Sequence, residues 1–155
     1  VTIKLYSVKF FLFLLFLQLI IGAFVSGMDA GKVYNTWPLM GSSFFPDDSN
    51  LNDLINLNSF DNPSLVQFIH RNLAYTIVIV YFYIFFRIFN YQIKNLRGPV
   101  ILIGLFLIAQ IILGIITLLS GVKIFYASLH QINSILIILS TLYFIFISKY
   151  KRQIN

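Results

Sequence analysis

The sequence contains no cysteine and no glutamate, and only 10% of its 155 residues are charged. Without cysteine, the chain itself cannot form a disulfide, hold an iron–sulfur cluster or ligate a metal through sulfur. Soluble domains carry roughly 25% charged residues. The shortage of charge, with 59% hydrophobic residues and a mean hydropathy of +0.87, therefore excludes a water-soluble globule.

Four apolar runs are long enough to cross a bilayer, since a spanning helix needs about 20 residues. They cover residues 10–28, 65–89, 100–120 and 125–148. Because lipid cannot satisfy backbone polar groups, the predicted fold class is an all-α membrane protein, a single domain whose four transmembrane helices form a bundle. The chain begins with Val1 and not with Met. We therefore expect a fragment, or one half of a protein made as two chains.

The charges are distributed unevenly along the chain, with 11 basic residues against 5 acidic ones. Basic residues concentrate before the first run, between the second and third, and after the fourth, whereas all five aspartates lie within residues 29–61. The positive-inside rule then predicts both termini on the cytoplasmic side, or its equivalent, in a multi-pass membrane protein. We expect a lipid bilayer, and no nucleic acid, as the partner of these charges.

The segment 29–64 is much longer than the connections of about 2–8 residues that join helices in a bundle. Within it, Leu51, Leu54 and Ile55 have helical spacing, which predicts a short interfacial helix. Long segments of this kind usually serve as lids or caps, so we expect a functional role on the outer side.

A weak internal repeat links the first and third runs. Gln18 is followed four residues later by Gly22, and Gln110 is followed in the same way by Gly114. Each run is succeeded by one that carries a histidine near its outer end. The pattern predicts two similar hairpins and a pseudo-twofold bundle. Gln18 and Gln110 themselves are interpreted as contacts between helices, because a polar amide in lipid needs a partner.

The two histidines of the chain, His70 and His130, each lie five residues inside their runs and therefore at the same predicted depth. One turn further on stand the small residues Ala74 and Ser134. A level pair of neutral imidazoles with little bulk beside it favours a bis-histidine haem. The alternative is that each histidine makes an ordinary hydrogen bond at the headgroup level. A zinc or copper site is less favoured, because no third ligand lies nearby in sequence.

Arg71 directly follows His70, at the depth where haem propionates would meet water. A guanidinium suits a carboxylate there. The equal alternative is that Arg71 extends to the lipid headgroups. The sequence has no recognised hydrolase or nucleotide-binding motif. No carboxylate lies within an apolar run, so no residue is evident that could carry a proton or ion across the membrane. Redox chemistry is the class of function that is left.

Three segments carry a more specific signal: GAFVSGMDAG at 22–31, YNTWPLMG at 34–41 and VQFIHRNLAY at 66–75. With these motifs the chain resembles the second half of haem A synthase in its mitochondrial and alphaproteobacterial form. That resemblance implies an eight-helix protein of two four-helix halves, in the bacterial inner membrane or the mitochondrial inner membrane. It implies an oxidoreductase that converts a methyl group of haem o to the formyl group of haem A for cytochrome oxidase.

The resemblance further implies that this half holds a haem b, with its iron, through His70 and His130. In the family the other half receives haem o and carries a glutamate in an E-x-x-H-R motif. This chain has Gln67 at that position, so no catalytic residue is expected here and the fragment alone should be inactive. The expected partners are haem o, the missing N-terminal half and an electron donor of unidentified kind, and a homo-oligomer is left open.

Two other classes of function remain. The first is a small four-helix b-type cytochrome that only transfers electrons. The second is a structural membrane subunit, which a colourless purified protein would favour. Sequence upstream of Val1 would discriminate best, since four more helices with E-x-x-H-R would identify the synthase.

Overall fold

The computed structural model describes residues 5 to 150, and it is a bundle of four long helices. They are α1 (Leu5–Gly27), α2 (Pro63–Asn90), α3 (Lys94–Leu119) and α4 (Ile124–Tyr150). All four are long and apolar enough to cross a membrane. Between residues 5 and 150 there is no strand, only one isolated bridge between Met40 and Ser43. The predicted all-α membrane fold is confirmed, and the chain is a multi-pass integral membrane protein.

Local signals in the sequence explain where the helices begin and end. Asn62 caps α2, since its side chain accepts hydrogen bonds from the backbone of Ser64 and Leu65, and Pro63 occupies the first turn. α2 ends where Gln92 adopts a positive φ of 54°. α3 begins at Lys94, earlier than the apolar run at residue 100. The run marks only the lipid-spanning part, whereas the helix continues through polar residues into the interface.

The helices pack mainly as two pairs, α1 with α2 and α3 with α4, and the pairs join through contacts of α2 with α3 and of α1 with α4. Away from the histidines the bundle interior is apolar and buried. Tyr81, Ser140 and Thr141 are polar exceptions. The Tyr81 hydroxyl donates to the backbone carbonyl of Val100 at 3.2 Å, and the other two hydroxyls donate to carbonyls one turn earlier on α4. The other buried side chains of this core come from all four helices: Val8, Phe11, Leu14, Leu15, Ile77, Ile84, Ile88, Leu96, Val100, Ile103, Leu107, Ile137, Ile138 and Phe144.

The segment between α1 and α2, residues 28–62, is called the outer loop here after its predicted side of the membrane. It contains three short 3-10 helices, Ala30–Lys32, Leu51–Ile55 and Leu57–Asp61. The region predicted as one interfacial helix is thus two 3-10 helices, separated at Asn56, whose backbone is extended. Leu51 and Ile55 are exposed, so no buried contact of these two side chains favours a longer α-helix.

Candidate functional site

His70 on α2 lies against the glutamine and glycine that the sequence repeat places on α1. The side-chain amide nitrogen of Gln18 is 3.3 Å from Nε2 of His70 and also donates to the His70 backbone carbonyl at 3.1 Å. Cε1 of the imidazole lies 3.3 Å from where a Cβ on Gly22 would stand. A side chain at position 22 would therefore press on the ring.

His130 on α4 has the same surroundings on α3. The amide nitrogen of Gln110 is 3.4 Å from Nε2 of His130. A Cβ on Gly114 would lie 2.9 Å from Cε1 of the ring, closer than side-chain atoms normally approach. The repeat seen in sequence is thus a repeat of contacts: in each helix pair a glutamine faces a histidine, and a glycine four residues later makes room for its ring.

Both imidazoles are partly buried. Nothing in the described part of the chain brings together three or more His, Cys, Asp or Glu side chains able to hold a metal ion. The protein ligands that residues 5 to 150 offer at this level are therefore two histidine nitrogens. A bare zinc ion would need three or four protein ligands.

The two rings differ in their second nitrogen. Nδ1 of His130 is 3.2 Å from the backbone carbonyl of Gln110, and a carbonyl can only accept, so Nδ1 carries the proton in this bond. Nδ1 of His70 is buried and has no hydrogen-bond partner. Nδ1 of His130 is thus held by the backbone of α3, whereas Nδ1 of His70 has no such acceptor.

Arg71 contacts the outer loop. Its Nη1 donates to the carbonyl of Leu39 at 3.2 Å, and its Nη2 donates to the carbonyl of Tyr34 at 3.1 Å. Gln67 donates to the same Tyr34 carbonyl at 3.0 Å. Arg71 therefore fastens the loop over the end of α2 that carries His70, a role that neither sequence interpretation included. Binding of a propionate by Arg71 stays a prediction.

Comparison with known proteins decides the family. Residues 4–142 match the COX15-CtaA family model, described as cytochrome oxidase assembly protein. The chain belongs to the COX15-CtaA family. It is 46% identical over 143 residues to heme A synthase of Pelagibacter ubique, covering 90% of this chain and 40% of the relative. It is 42% identical over 140 residues to heme A synthase of Wolbachia pipientis wMel, covering 90% and 38%. No solved structure matched significantly.

The resemblance found in the sequence is confirmed at the level of this family. The chain spans only about two fifths of the length of these curated relatives. The segment that carried two of the three motifs, residues 22–41, includes the part of the outer loop that Arg71 and Gln67 hold. In this COX15-CtaA chain, the motifs and the histidine pair therefore belong to one continuous region of the fold.

A second fastening of the loop reaches α3. The side chain of Asn35 donates to the carbonyl of Leu118 at 3.0 Å and to that of Gly31 at 2.8 Å. A Cβ on Gly31 would lie 2.9 Å from the side chain of Val122 in the turn between α3 and α4. The motif residues of the loop thus join both helix pairs at the end of the bundle where the histidines lie.

The middle of the outer loop is organised around two aspartates. Asp47 accepts hydrogen bonds from the hydroxyl and backbone of Ser42 and from the hydroxyl of Ser43. The Ser43 hydroxyl, followed by the two groups of Ser42, holds the pKa of Asp47 below its usual value. Asp48 accepts from the hydroxyl of Ser64 at 2.6 Å. Both carboxylates are therefore ionised at neutral pH and tie loop segments together.

Burial raises the pKa of Asp48, but hydrogen bonds from Ser64, Ser49 and Tyr34 outweigh this effect and leave the pKa below its usual value. The pKa of Tyr34 is raised, first by burial and then by the Asp48 charge. Tyr34 therefore stays a neutral phenol. Its backbone carbonyl receives Arg71 and Gln67, so this residue connects the middle of the loop with α2.

Sequence reasoning identified the histidines but missed two features of their surroundings. It interpreted Gln18 and Gln110 as contacts between helices, which they are, without naming the histidines as their partners. It missed Asn133, which is buried and donates to Oε1 of Gln110 at 2.7 Å and to the carbonyl of Phe106 at 2.9 Å. The only signal for Asn133 was a polar residue three positions after His130, on the same helix face.

Proposed function

We propose that this chain is the haem b-holding half of a haem A synthase, which oxidises haem o to haem A for cytochrome oxidase. The observation that carries the proposal is the repeated arrangement of a glutamine, a glycine and a histidine in the two helix pairs. The family match and the heme A synthase relatives support it.

The residues fit a haem with two axial histidines. In each pair a glutamine amide donates to Nε2, which requires an unprotonated Nε2 and hence the neutral form of imidazole that can bind iron. Each amide would have to turn away from Nε2 for the iron to take the same lone pair. A porphyrin supplies four ligands of its own, so two protein nitrogens complete its iron. The buried Nδ1 of His70 that lacks a partner is a further sign of a site whose polar groups are not all satisfied by this chain.

The residues of the chain have separate tasks in this proposal. His70 and His130 would hold the iron, and the glycines at 22 and 114 let each ring lie close to its neighbouring helix. Arg71 and the outer loop cover the site and limit the access of water. When bound, the haem would supply one-electron transfer.

The carboxylates of the chain support a cofactor role rather than a substrate role. All five aspartates lie within residues 29–61, outside α1 to α4, and the sequence has no glutamate. Oxidation of a methyl group needs an acid–base group beside the substrate. Gln67 stands where the substrate half of the family has its glutamate, and an amide cannot take part in proton transfer as a carboxylate does. That group must therefore come from outside this chain.

The test is the production of haem A in cells that make haem o. Residues 1–155 alone should give none, whereas co-expression with a matching first half that carries its own histidine pair and glutamate should restore it. Extraction and chromatography of the pigments measure both. Haem A produced by the fragment alone would contradict the division of tasks. A haem-loaded chain that supports no haem A with any first half would favour the electron-carrying cytochrome instead.

A further inference from the structure

The two histidines differ in the hydrogen bonds that hold them within their helix pairs. His130 donates from Nδ1 to the Gln110 carbonyl. The side chain of Gln110 is in turn held by Asn133, whose amide also donates to Phe106 one turn earlier on α3. Asn133 thus fixes α4 against α3 at the level of His130 with two hydrogen bonds, and it keeps the Gln110 carbonyl within reach of the ring.

The first helix pair is joined by the bond from the Gln18 amide to the His70 backbone carbonyl, but it has neither an acceptor for Nδ1 nor an equivalent of Asn133. The residue three positions after His70 is Leu73, which has no amide to donate. Correspondingly, Oε1 of Gln18 is buried without a hydrogen-bond partner, and so is Nδ1 of His70. The His70 ring also packs less closely on its neighbouring helix. A Cβ at position 22 would stand 3.3 Å from His70, whereas a Cβ at position 114 would stand 2.9 Å from His130.

We propose that the two histidines are unequal iron ligands: His130 is the anchored ligand, positioned by Asn133 through Gln110, and His70 is the replaceable one. This inference rests on the proposed function, because it presupposes that the pair ligates a haem. Its physical basis is that a hydrogen bond from the second ring nitrogen fixes the tautomer and orientation of a ligating histidine, and raises its basicity. His130 has that bond and His70 does not.

The first experiment compares two single variants of the haem-loaded chain, His70→Ala and His130→Ala. Removing the replaceable ligand should leave haem bound through His130, with a spectrum changed from six-coordinate low-spin to five-coordinate high-spin. Removing the anchored ligand should lose most of the haem. Circular dichroism of both variants checks that the helices remain. A role in packing alone would change stability without producing this difference in spin state and haem content.

The second experiment tests Asn133 as a positioning residue. In the His70→Ala background, Asn133→Leu gives the second helix pair the residue found in the first. Loss of the Asn133 hydrogen bonds to Gln110 and Phe106 should speed transfer of haem to apomyoglobin about tenfold or more. The reciprocal change Leu73→Asn, in the His130→Ala background, gives the first helix pair an amide at the position equivalent to Asn133, where the repeat predicts that it meets the unpartnered Gln18 Oε1. It should raise haem retention through His70.

The outcomes separate this inference from the proposed function. If the unaltered chain binds no haem, both fail. The unaltered chain could bind haem while the two single variants retain it equally, or while only His130→Ala retains it. Either result would show that His130 is not the anchored ligand, and the proposed haem site would be unaffected. If the single variants behave as expected but Asn133→Leu leaves haem transfer unchanged, His130 is anchored without Asn133, and the positioning role is wrong.

Discussion

The fit of each histidine ring against a glycine gives a prediction with a matched control inside the same molecule. Alanine at position 114 would place its Cβ 2.9 Å from Cε1 of His130, whereas alanine at position 22 would stand 3.3 Å from Cε1 of His70. The ring of His130 cannot move away without losing its bond to the Gln110 carbonyl at 3.2 Å. Gly114→Ala should therefore displace His130, and Gly22→Ala should need a shift of only a few tenths of an ångström.

Two terms of opposite sign set the size of the effect. Alanine is favoured over glycine within a helix by about 1 kcal/mol, and overpacking costs about 1–3 kcal/mol. For Gly22→Ala the two terms nearly cancel, and the free energy of unfolding should hardly change. For Gly114→Ala the overpacking term dominates, and the net loss should be up to about 2 kcal/mol.

Thermal unfolding in detergent, followed by circular dichroism, measures the stability of both variants, and the low-spin haem spectrum reports on the rings. Gly114→Ala should lower the midpoint and weaken the low-spin spectrum, whereas Gly22→Ala should keep both. Equal effects of the two variants, or a larger effect at position 22, would refute the reasoning from ring contact.

Three further predictions concern topology and the outer loop. Cysteines introduced for Ser49 and Ser148 should be labelled from opposite sides of the membrane, Ser49 from the outer side, and labelling of both from that side would contradict the predicted topology. Arg71→Gln should speed proteolysis of the outer loop because its two bonds to loop carbonyls are lost, whereas the control Arg87→Gln, which removes a contact at the far end of α2, should not. The hydrogen bonds that lower the pKa of Asp47 stabilise the loop fully at a pH above the ordinary aspartate pKa of about 3.9. This stabilisation is lost as the pH falls through the lowered pKa. Pepsin cleavage of the loop should therefore increase below that pH, and Asp47→Asn should weaken the dependence and leave the part that is due to Asp48.

The helices could be predicted from the sequence because each one is marked by an apolar run of spanning length. Their ends could not all be placed in the same way. α3 begins with Lys94, Asn95 and Arg97 in its first turns, and these residues interrupt the hydropathy signal without interrupting the helix. In the outer loop, Leu51, Leu54 and Ile55 gave the right position for helical structure but not its type, since helical spacing does not distinguish α from 3-10 turns over five residues.

The histidine pair was predicted from depth, and the helices place His70 seven residues after the start of α2 and His130 six residues after the start of α4. Its role as an iron-ligating pair stays a prediction. The partners of the rings required the packing of neighbouring helices. Whether Gln110 faces His130 depends on how α3 rotates against α4. The role of Asn133 depends on carbonyl groups of α3, which no sequence pattern displays. Arg71 had two plausible partners in the sequence, and the loop carbonyls that it contacts are brought to it only by the fold.

The most direct test of the haem site is the haem content and spin state of the purified chain, compared with the double variant His70→Ala with His130→Ala. A pyridine-haemochrome assay and electron paramagnetic resonance should find one b-type haem per chain in the unaltered protein, low-spin and six-coordinate, and none in the double variant. Two haems per chain, or a double variant that keeps the same low-spin spectrum, would contradict the assignment of this histidine pair as the two iron ligands.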